Sequence, residues 1–412
     1  MGTSTINCTI AAITDVGMVR KNNEDNFILA DIVAGQNLPS WCETSHKVGE
    51  NSLLLVVSDG MGGAEYGELA SELTVLSVKD ALMRMSRNIS PHDRVVAAVE
   101  EANHVVWQEG EVQPHLRGMG ATVTAALIED DQVYVGEVGD SRAYLIRGGN
   151  IKQVTTDQSF VAQLVERGLL KPEDAVVHPR RNVILQSIGA QEIVQVAVCM
   201  FQLKQEDILL LCSDGLSNLV TTGEMLFFSS NMEPHLACQK LVDIAKQRGG
   251  TDNITCVLAK FYGDALQVSK DAKGLTGMLQ TITAFNPEQS PEKTHKRTQL
   301  LGNSSIIERY YNSASNEAAK RQEVSHLGDF PNSEIIRDES EKLLEWLEYC
   351  QQILEFKTDQ TQEASDWLSA QNIHFTNLET IIHQVKEGVA GLAKAKDATR
   401  ELIKVFSSTK KK

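Results

Sequence analysis

Two segments of this chain carry nearly the same letters, SLLLVVSDG over 52–60 and ILLLCSDG over 208–215. An apolar run closed by Asp-Gly reads as a buried strand that ends on an aspartate in a tight turn. Between them, ATVTAALIEDDQVYVGEVGDSRAYLIRGGNIKQVT alternates β-branched and aromatic runs with the turn pairs Asp130-Asp131 and Gly148-Gly149, which predicts an antiparallel meander. Amphipathic helices are predicted over Glu65 to Met85, with Leu69, Leu73 and Leu76 on one face, and over Asp93 to Gln108, with Val95, Val99, Ala102 and Val106. ITCVLAKFY closes the region at Tyr262. Strands and helices segregated in this way favour an α+β sandwich flanked by helices over a Rossmann-type alternation.

Residues 1–263 therefore read as one domain. From 264 to 332 the chain is rich in Ser, Thr, Asn, Gln and Lys without sustained period, a polar linker that is partly helical around Ile306 to Arg321. Helical period returns over 333–412. Leu343, Leu347, Cys350 and Leu354 form one stripe, and Leu378, Ile381, Val385, Val389 and Leu392 begin a longer one, so a small bundle or coiled coil is expected. Such helices could dock a protein partner, self-associate, or pack on themselves. The threonines in KTHKRTQLLGN (293–303) stand beside basic residues, as a kinase site would.

Charge narrows the partners. Residues 1–262 hold 20 Lys+Arg against 33 Asp+Glu, and the remainder 19 against 22, within a net charge of -16. An acidic domain repels phosphate backbones, which argues against nucleic acid and leaves room for a carboxylate site for hard cations. The seven cysteines form no C-x-x-C pair and several sit in apolar runs, so they read as buried thiols of a reducing, cytoplasmic compartment. No apolar stretch has the length of a membrane span, and Ile6 stands where a myristoylation signal wants Ser or Thr.

Five aspartates lie at strand ends or in turns: Asp25 in NNEDN, Asp59 and Asp214 in the two SDG motifs, Asp140 in GDSR and Asp252 in GGTDN. Crowded carboxylates raise one another's pKa, so ionised aspartates sharing a cleft need cations, and oxygen-only ligands favour Mg²⁺ or Mn²⁺ over zinc. Gly60 lacks a Cβ, so its carbonyl could approach such an ion closely.

TDVGMVRKNNEDN (14–26), VVSDGMGG (56–63), GMGATVTAALI (118–128), VGDSRAYLIRGG (138–149), NVILQSIG (182–189), LLLCSDGLSNLV (209–220) and GGTDNITCVL (249–258) together resemble the bacterial branch of the metal-dependent phosphatase family called PP2C, or PPM. The resemblance implies a PP2C-like sandwich and a serine/threonine phosphoprotein phosphatase. It also implies catalysis by direct attack of a hydroxide bridging two Mg or Mn ions, in opposition to a bacterial Ser/Thr kinase. Asp59 would bridge the central ions, the Gly60 carbonyl would join one, and Asp214 and Asp252 would hold the other. Asp25 would act through metal-bound water, Asp140 with Asp214 would form a weaker third site, and Arg20 would bind the substrate phosphate. No C-x₅-R loop or G-x-S-x-G elbow competes with this reading.

Two positions depart from the family pattern. Met61 stands where eukaryotic members carry a His as candidate general acid, and Asp157-Gln158 stands where many members have Asp-His. The stretch 160–182 resembles the family's flap; its His178, Arg180 and Arg181 are not assigned catalytic roles. A competing reading makes the phosphatase domain a servant of the C-terminal helices, in a protein whose main task is binding.

Overall fold

The computed structural model describes residues 5–47, 52–62, 66–175, 178–268 and 279–289. The chain divides into two units, Met1–Tyr310 and Tyr311–Lys412. The second unit lies outside the described residues, as do the helices expected over 333–412 and the threonines of 293–303.

The first half of the chain forms β1 (Thr5–Asp15), β2 (Asp25–Asp31), β3 (Gln36–Asn37), β4 (Trp41–Lys47), β5 (Ser52–Met61), α1 (Tyr66–Arg84), α2 (Pro91–Val112), β6 (Gly120–Ala121), β7 (Val123–Glu129) and β8 (Gln132–Val138). There follow β9 (Arg142–Arg147), β10 (Asn150–Gln153), α3 (Phe160–Glu166), α4 (Pro172–Ala175), β11 (Ala197–Gln202), β12 (Ile208–Cys212), α5 (Asp214–Ser217), α6 (Thr222–Asn231), α7 (Pro234–Gln247), β13 (Ile254–Tyr262) and β14 (Gln280–Thr283). One sheet runs β10-β9-β12-β13-β1-β4; the other runs β14-β11-β8-β7-β5-β2-β3, with β6 paired to β5. Every pairing is antiparallel.

The layering explains the apolar runs. Leu53, Leu55 and Val57 of β5 share a core with Ile10 of β1, Leu211 of β12 and Phe261 of β13, between the two sheets. Leu54 and Val56 belong instead to the layer under α1 and α2, with Leu73, Val78, Val95 and Val99. β12 divides likewise, Leu209 and Leu211 between the sheets, Leu210 and Cys212 against Leu241 and Val242 of α7. A strand covered on both faces has no polar side to show, so its letters do not alternate. Each Leu or Val so buried contributes roughly 1.5–3 kcal/mol of transfer free energy. Four layers result, helices outside and sheets within, as the α+β reading expected.

Both predicted helices form close to their expected bounds. α2 begins at Pro91 because Ser90 caps it, its hydroxyl accepting from the Asp93 N–H at 3.1 Å, and proline fits a first helical position.

Two expectations need correction. The predicted meander is not one sheet: β7 and β8 pair with each other in one layer, whereas β9 and β10 pair in the other. The chain crosses between layers at Gly139-Asp140-Ser141, because β9 takes β12 as its neighbour. Alternation records that a strand is half or fully covered but not which sheet it joins. In addition, the polar segment after 263 contains β14, whose β-branched Thr281 and Thr283 pair with the β11 edge.

Among the described cysteines all are free thiols; five are buried and Cys42 is half-buried. Burial pushes the thiols of Cys8, Cys42, Cys199 and Cys212 up, Cys199 to about 12, which keeps these four protonated and unreactive. Cys350 lies outside the described residues. Among the described residues no helix is long and apolar enough to cross a membrane.

Candidate active site

Asp25 and Asp59 face each other in the β2–β5 register. Asp214 opens α5 directly after β12, Asp252 lies just ahead of β13, and β12 and β13 are neighbours. Asp140 sits on the crossover between the sheets. The carboxyls therefore come from both layers and meet at one end of the sandwich. Burial pushes Asp59 well above the carboxylate range, and the charges of Asp25, Asp214, Asp140 and Asp252 push it further. Asp214 is raised by burial and by Asp252, against a hydrogen bond with Asp59 that lowers it. Asp140 is pushed up to about 7, by burial first and then by Asp214.

Asp25 is held with one oxygen occupied. Its Oδ2 accepts from Ser213 Oγ and Thr255 Oγ1, each at 2.7 Å, while Oδ1 is buried with no hydrogen-bond partner. Burial raises this carboxyl to about 7 although both hydroxyls favour its ionised form. A buried lone pair left open is costly in a protein interior and is what a site for water or a cation presents.

Gly60 is glycine for a packing reason as well. A Cβ there would run into the carbonyl oxygens of Gly67, at the start of α1, and of Glu24. The absence of a side chain lets α1 press against the end of β5, and Gly60 N–H donates to the Glu24 carbonyl at 3.1 Å.

Several residues that carry the arrangement were not singled out from the sequence. Asn253 ties the loop before β13 to the β1–β2 loop at three points. Its side-chain nitrogen donates to the carbonyls of Val16 and Asn22, at 3.0 and 2.9 Å, its Oδ1 accepts from Glu24 N–H at 2.8 Å, and its own N–H donates to Asp252 Oδ1 at 2.9 Å. Thr122 accepts from Asp59 N–H at 2.9 Å and meets Ser141 Oγ at 2.7 Å, which joins β5 to the turn carrying Asp140. Glu24 is buried beside the cluster, and burial raises its carboxyl. The repeated Ser of the two SDG motifs was a legible signal: Ser213 holds Asp25, and Ser58 Oγ donates to the Thr122 carbonyl at 2.7 Å.

Arg20 reaches the cluster from the loop after β1, its Nη2 2.9 Å from Asp252 Oδ2, with 47% of its side chain exposed. A cleft of about 620 Å³ runs from Asp140 and Asp214 to α3 and Arg181, and another of about 400 Å³ lies between Arg181, Asp214 and Asp252. Arg181 lines both. Arg180 instead stacks over Phe160 at 5.5 Å, and His178 Nδ1 accepts from the Arg180 N–H at 3.1 Å. Asp157 is engaged by Arg142, with Nε at 2.9 Å and Nη2 at 2.5 Å. Gln158, in the position read as a departure, is 1% exposed and turned inward, accepting from Gly139 N–H at 2.8 Å.

Among the described residues no three His, Cys, Asp or Glu side chains close on one point as a finished cage. The convergent, mutually raised aspartates and the open Asp25 Oδ1 nevertheless fit hard divalent cations whose remaining positions are taken by a carbonyl and water.

A family model described as Protein phosphatase 2C matches residues 40–258. The serine/threonine phosphatase stp of Listeria monocytogenes is 33% identical over 263 residues, covering 63% of this chain and 97% of that protein. The serine/threonine protein phosphatase PstP of Mycobacterium tuberculosis is 35% identical over 252 residues, 60% of this chain, and there the match spans 44% of the relative's length. The solved structure of that mycobacterial phosphatase superposes with a TM-score of 0.54 at 32% identity, covering 63% of this chain and 99% of that one. A structure of the PstP catalytic domain in complex with two manganese ions superposes at 0.53, also at 32% identity, over 62% of this chain and 99% of that one. Arg20 and Asp25 precede the matched span, and it is the β2–β5 register and the Arg20–Asp252 pair that bring them to the cluster. Sequence match and four-layer fold agree, and this chain belongs to the protein phosphatase 2C family.

Proposed function

We propose that the chain is a metal-dependent serine/threonine protein phosphatase that hydrolyses phosphomonoesters. The observation that carries this reading is the meeting of five aspartates from both sheets, four of them raised by burial and one another, with Arg20 paired to Asp252 and Arg181 lining the adjoining cleft.

Asp59, the Gly60 carbonyl, Asp214 and Asp252 would hold two central Mn²⁺ or Mg²⁺ ions, Asp140 with Asp214 a third, and Asp25 would act through water. When bound, such ions supply an activated water and offset charge on the phosphoryl group. The chain's own groups do the rest. Ser213 and Thr255 hold Asp25 by Oδ2 and leave Oδ1 open, where it would orient water. Arg20, whose planar fork can take two phosphate oxygens, exchanges Asp252 for the substrate phosphate. Arg181 offers a second positive group from the flap. Met61 cannot donate a proton to the leaving alcohol, so that proton comes from water or from another residue.

The substrates are phosphoserine and phosphothreonine proteins, the opposing enzyme is a bacterial Ser/Thr kinase, and the compartment is the cytoplasm, a reading supported by the free buried thiols. Hydrolysis of an aryl phosphate and of a phosphothreonine peptide by the full chain tests the activity. Mn²⁺-dependent turnover should be lost in Asp59→Asn and Asp214→Asn; turnover that ignores chelator, or survives both substitutions, would refute it. The helices of 333–412 would dock a partner or pair with a second copy, and light scattering of the full chain separates the two.

A further inference from the structure

Residues 280–289 lie beyond the span that matches the family, yet they are fastened to the domain. β14 extends the β11 edge, His92 Nε2 at the start of α2 meets Thr283 Oγ1 at 3.0 Å, and Arg167 at the end of α3 pairs with Glu288 at 2.7 Å. The central fastening is the Gln195 side chain. Its Oε1 accepts from Asn286 N–H at 3.0 Å, and its Nε2 donates to the carbonyls of Asn286, at 3.1 Å, and of Gln289.

From Gln195 the bonds continue inward. The Gln195 N–H donates to Gln186 Oε1 at 3.0 Å, and Gln186 Nε2 donates both to the Gln195 carbonyl at 2.6 Å and to Gln158 Oε1 at 2.8 Å. Gln158 Oε1 also accepts from Gly139 N–H, its Nε2 donates to the Glu137 carbonyl at 3.3 Å, and its N–H donates to the Gly139 carbonyl at 2.9 Å. Gly139 is bonded to Asp140, on the crossover between the sheets. Three amides thus connect a strap outside the matched span to the turn that carries a cluster aspartate.

Each amide has only one satisfactory orientation. In all three the oxygen faces an N–H and the nitrogen faces an oxygen, so turning any one over would set donor against donor. Linked amides of this kind polarise one another and hold a turn more firmly than separate bonds.

We infer that Gln158, Gln186 and Gln195 are positioning residues for the Gly139–Asp140 turn, and that the 280–289 strap, anchored on Gln195, sets how tightly that turn is held. Whatever lifts the strap therefore loosens Asp140. The coupling itself concerns the fold; its effect on cation binding rests on the function proposed above.

Hydrogen exchange read by mass spectrometry on the full chain in chelator tests the coupling. Gln195→Met should free peptides of 280–289 and speed exchange across 139–142 about three- to tenfold, the range one hydrogen bond supplies. Gln186→Met should speed 139–142 by a similar factor. Gln186→Glu keeps the acceptor but loses both donations, so it should match Gln186→Met. Calorimetric titration with Mn²⁺ should show the weakest binding step weakened in all three variants. Release of 280–289 in Gln195→Met with unchanged exchange at 139–142 overturns the strap's role. Unchanged 139–142 in Gln186→Met overturns the whole chain of bonds, as does a uniform quickening of every peptide. Should Gln186→Met not fold, Gln195→Met decides alone, because its side chain only touches the strap. A wild-type chain with no turnover refutes the proposed activity and leaves the exchange result standing.

Discussion

Gly215→Ala should disable this site without dissolving the fold. Gly215 follows Asp214 in α5, and an added Cβ would stand 1.9 Å from the Asn253 carbonyl oxygen, 3.0 Å from its carbon and 3.4 Å from Asp252 Cβ. Ordinary non-bonded separations between heavy atoms are about 3.5 Å, so α5 and the loop before β13 must part by ~1.5 Å. That loop cannot move alone, since Asn253 is bonded to Val16, Asn22 and Glu24, and its displacement shifts Asp252 and the approach of Arg20 together. Overpacking of this kind costs about 1–3 kcal/mol. For a domain of this size each kcal/mol lowers Tm by roughly 2–4 °C. A misplacement of ~1 Å at reacting groups costs on the order of 100-fold in rate. Mn²⁺-dependent hydrolysis of an aryl phosphate should therefore fall at least about 100-fold, while circular dichroism keeps the wild-type spectrum and the melt shifts by about 10 °C or less. Activity within a few-fold of wild type would show that Asp214 and Asp252 do not act as one geometric unit.

In chelator, stability should fall as pH rises from about 4 to 7. Asp25 and Asp140, raised by burial from 3.8 to about 7, stay protonated when folded in a window where the unfolded chain has released its protons, so the folded state holds more protons there. Saturating Mn²⁺ should remove the trend in thermal melts; a chelated protein that gains stability over this window would contradict the reading. Arg94→Ala takes from Glu129 its buried ion-pair partner and leaves only the exposed Arg87, at 3.9 Å, and the Ser52 hydroxyl, so the cost should approach but not exceed the about 3–5 kcal/mol of a fully broken buried pair. Calorimetry should show a lowered Tm, with kcat per folded molecule kept, since Arg94 is remote from the aspartates in α2. Arg181→Ala should raise KM for a phosphopeptide more than for an aryl phosphate and leave kcat nearly unchanged, because the side chain lines the clefts outside the cluster; an equal loss in kcat would place Arg181 in the reacting centre.

The letters themselves determined the strand that carries Asp59 and the one that leads to Asp214, because strands covered on both faces leave no polar side and must read as unbroken apolar runs. They also determined both long helices, whose apolar period is local, and the five aspartates, because short motifs keep their neighbours. What the sequence could not decide was which sheet each strand joins. The 121–155 stretch alternates in the same way whether or not β9 leaves β8 for β12, and that crossover is what brings Asp140 to the other carboxyls. Asn253, Thr122 and Gln158 were illegible for the same reason, their partners lying 19 to 237 positions away in the chain or determined by which loop packs on which. Burial turned Asp25 from an ordinary carboxyl into one held near pH 7, and no local pattern measures burial. Nor does local composition show that a polar segment past Gly263 returns as β14 to the sheet edge, since edge pairing is made by the backbone of whichever strand lies alongside.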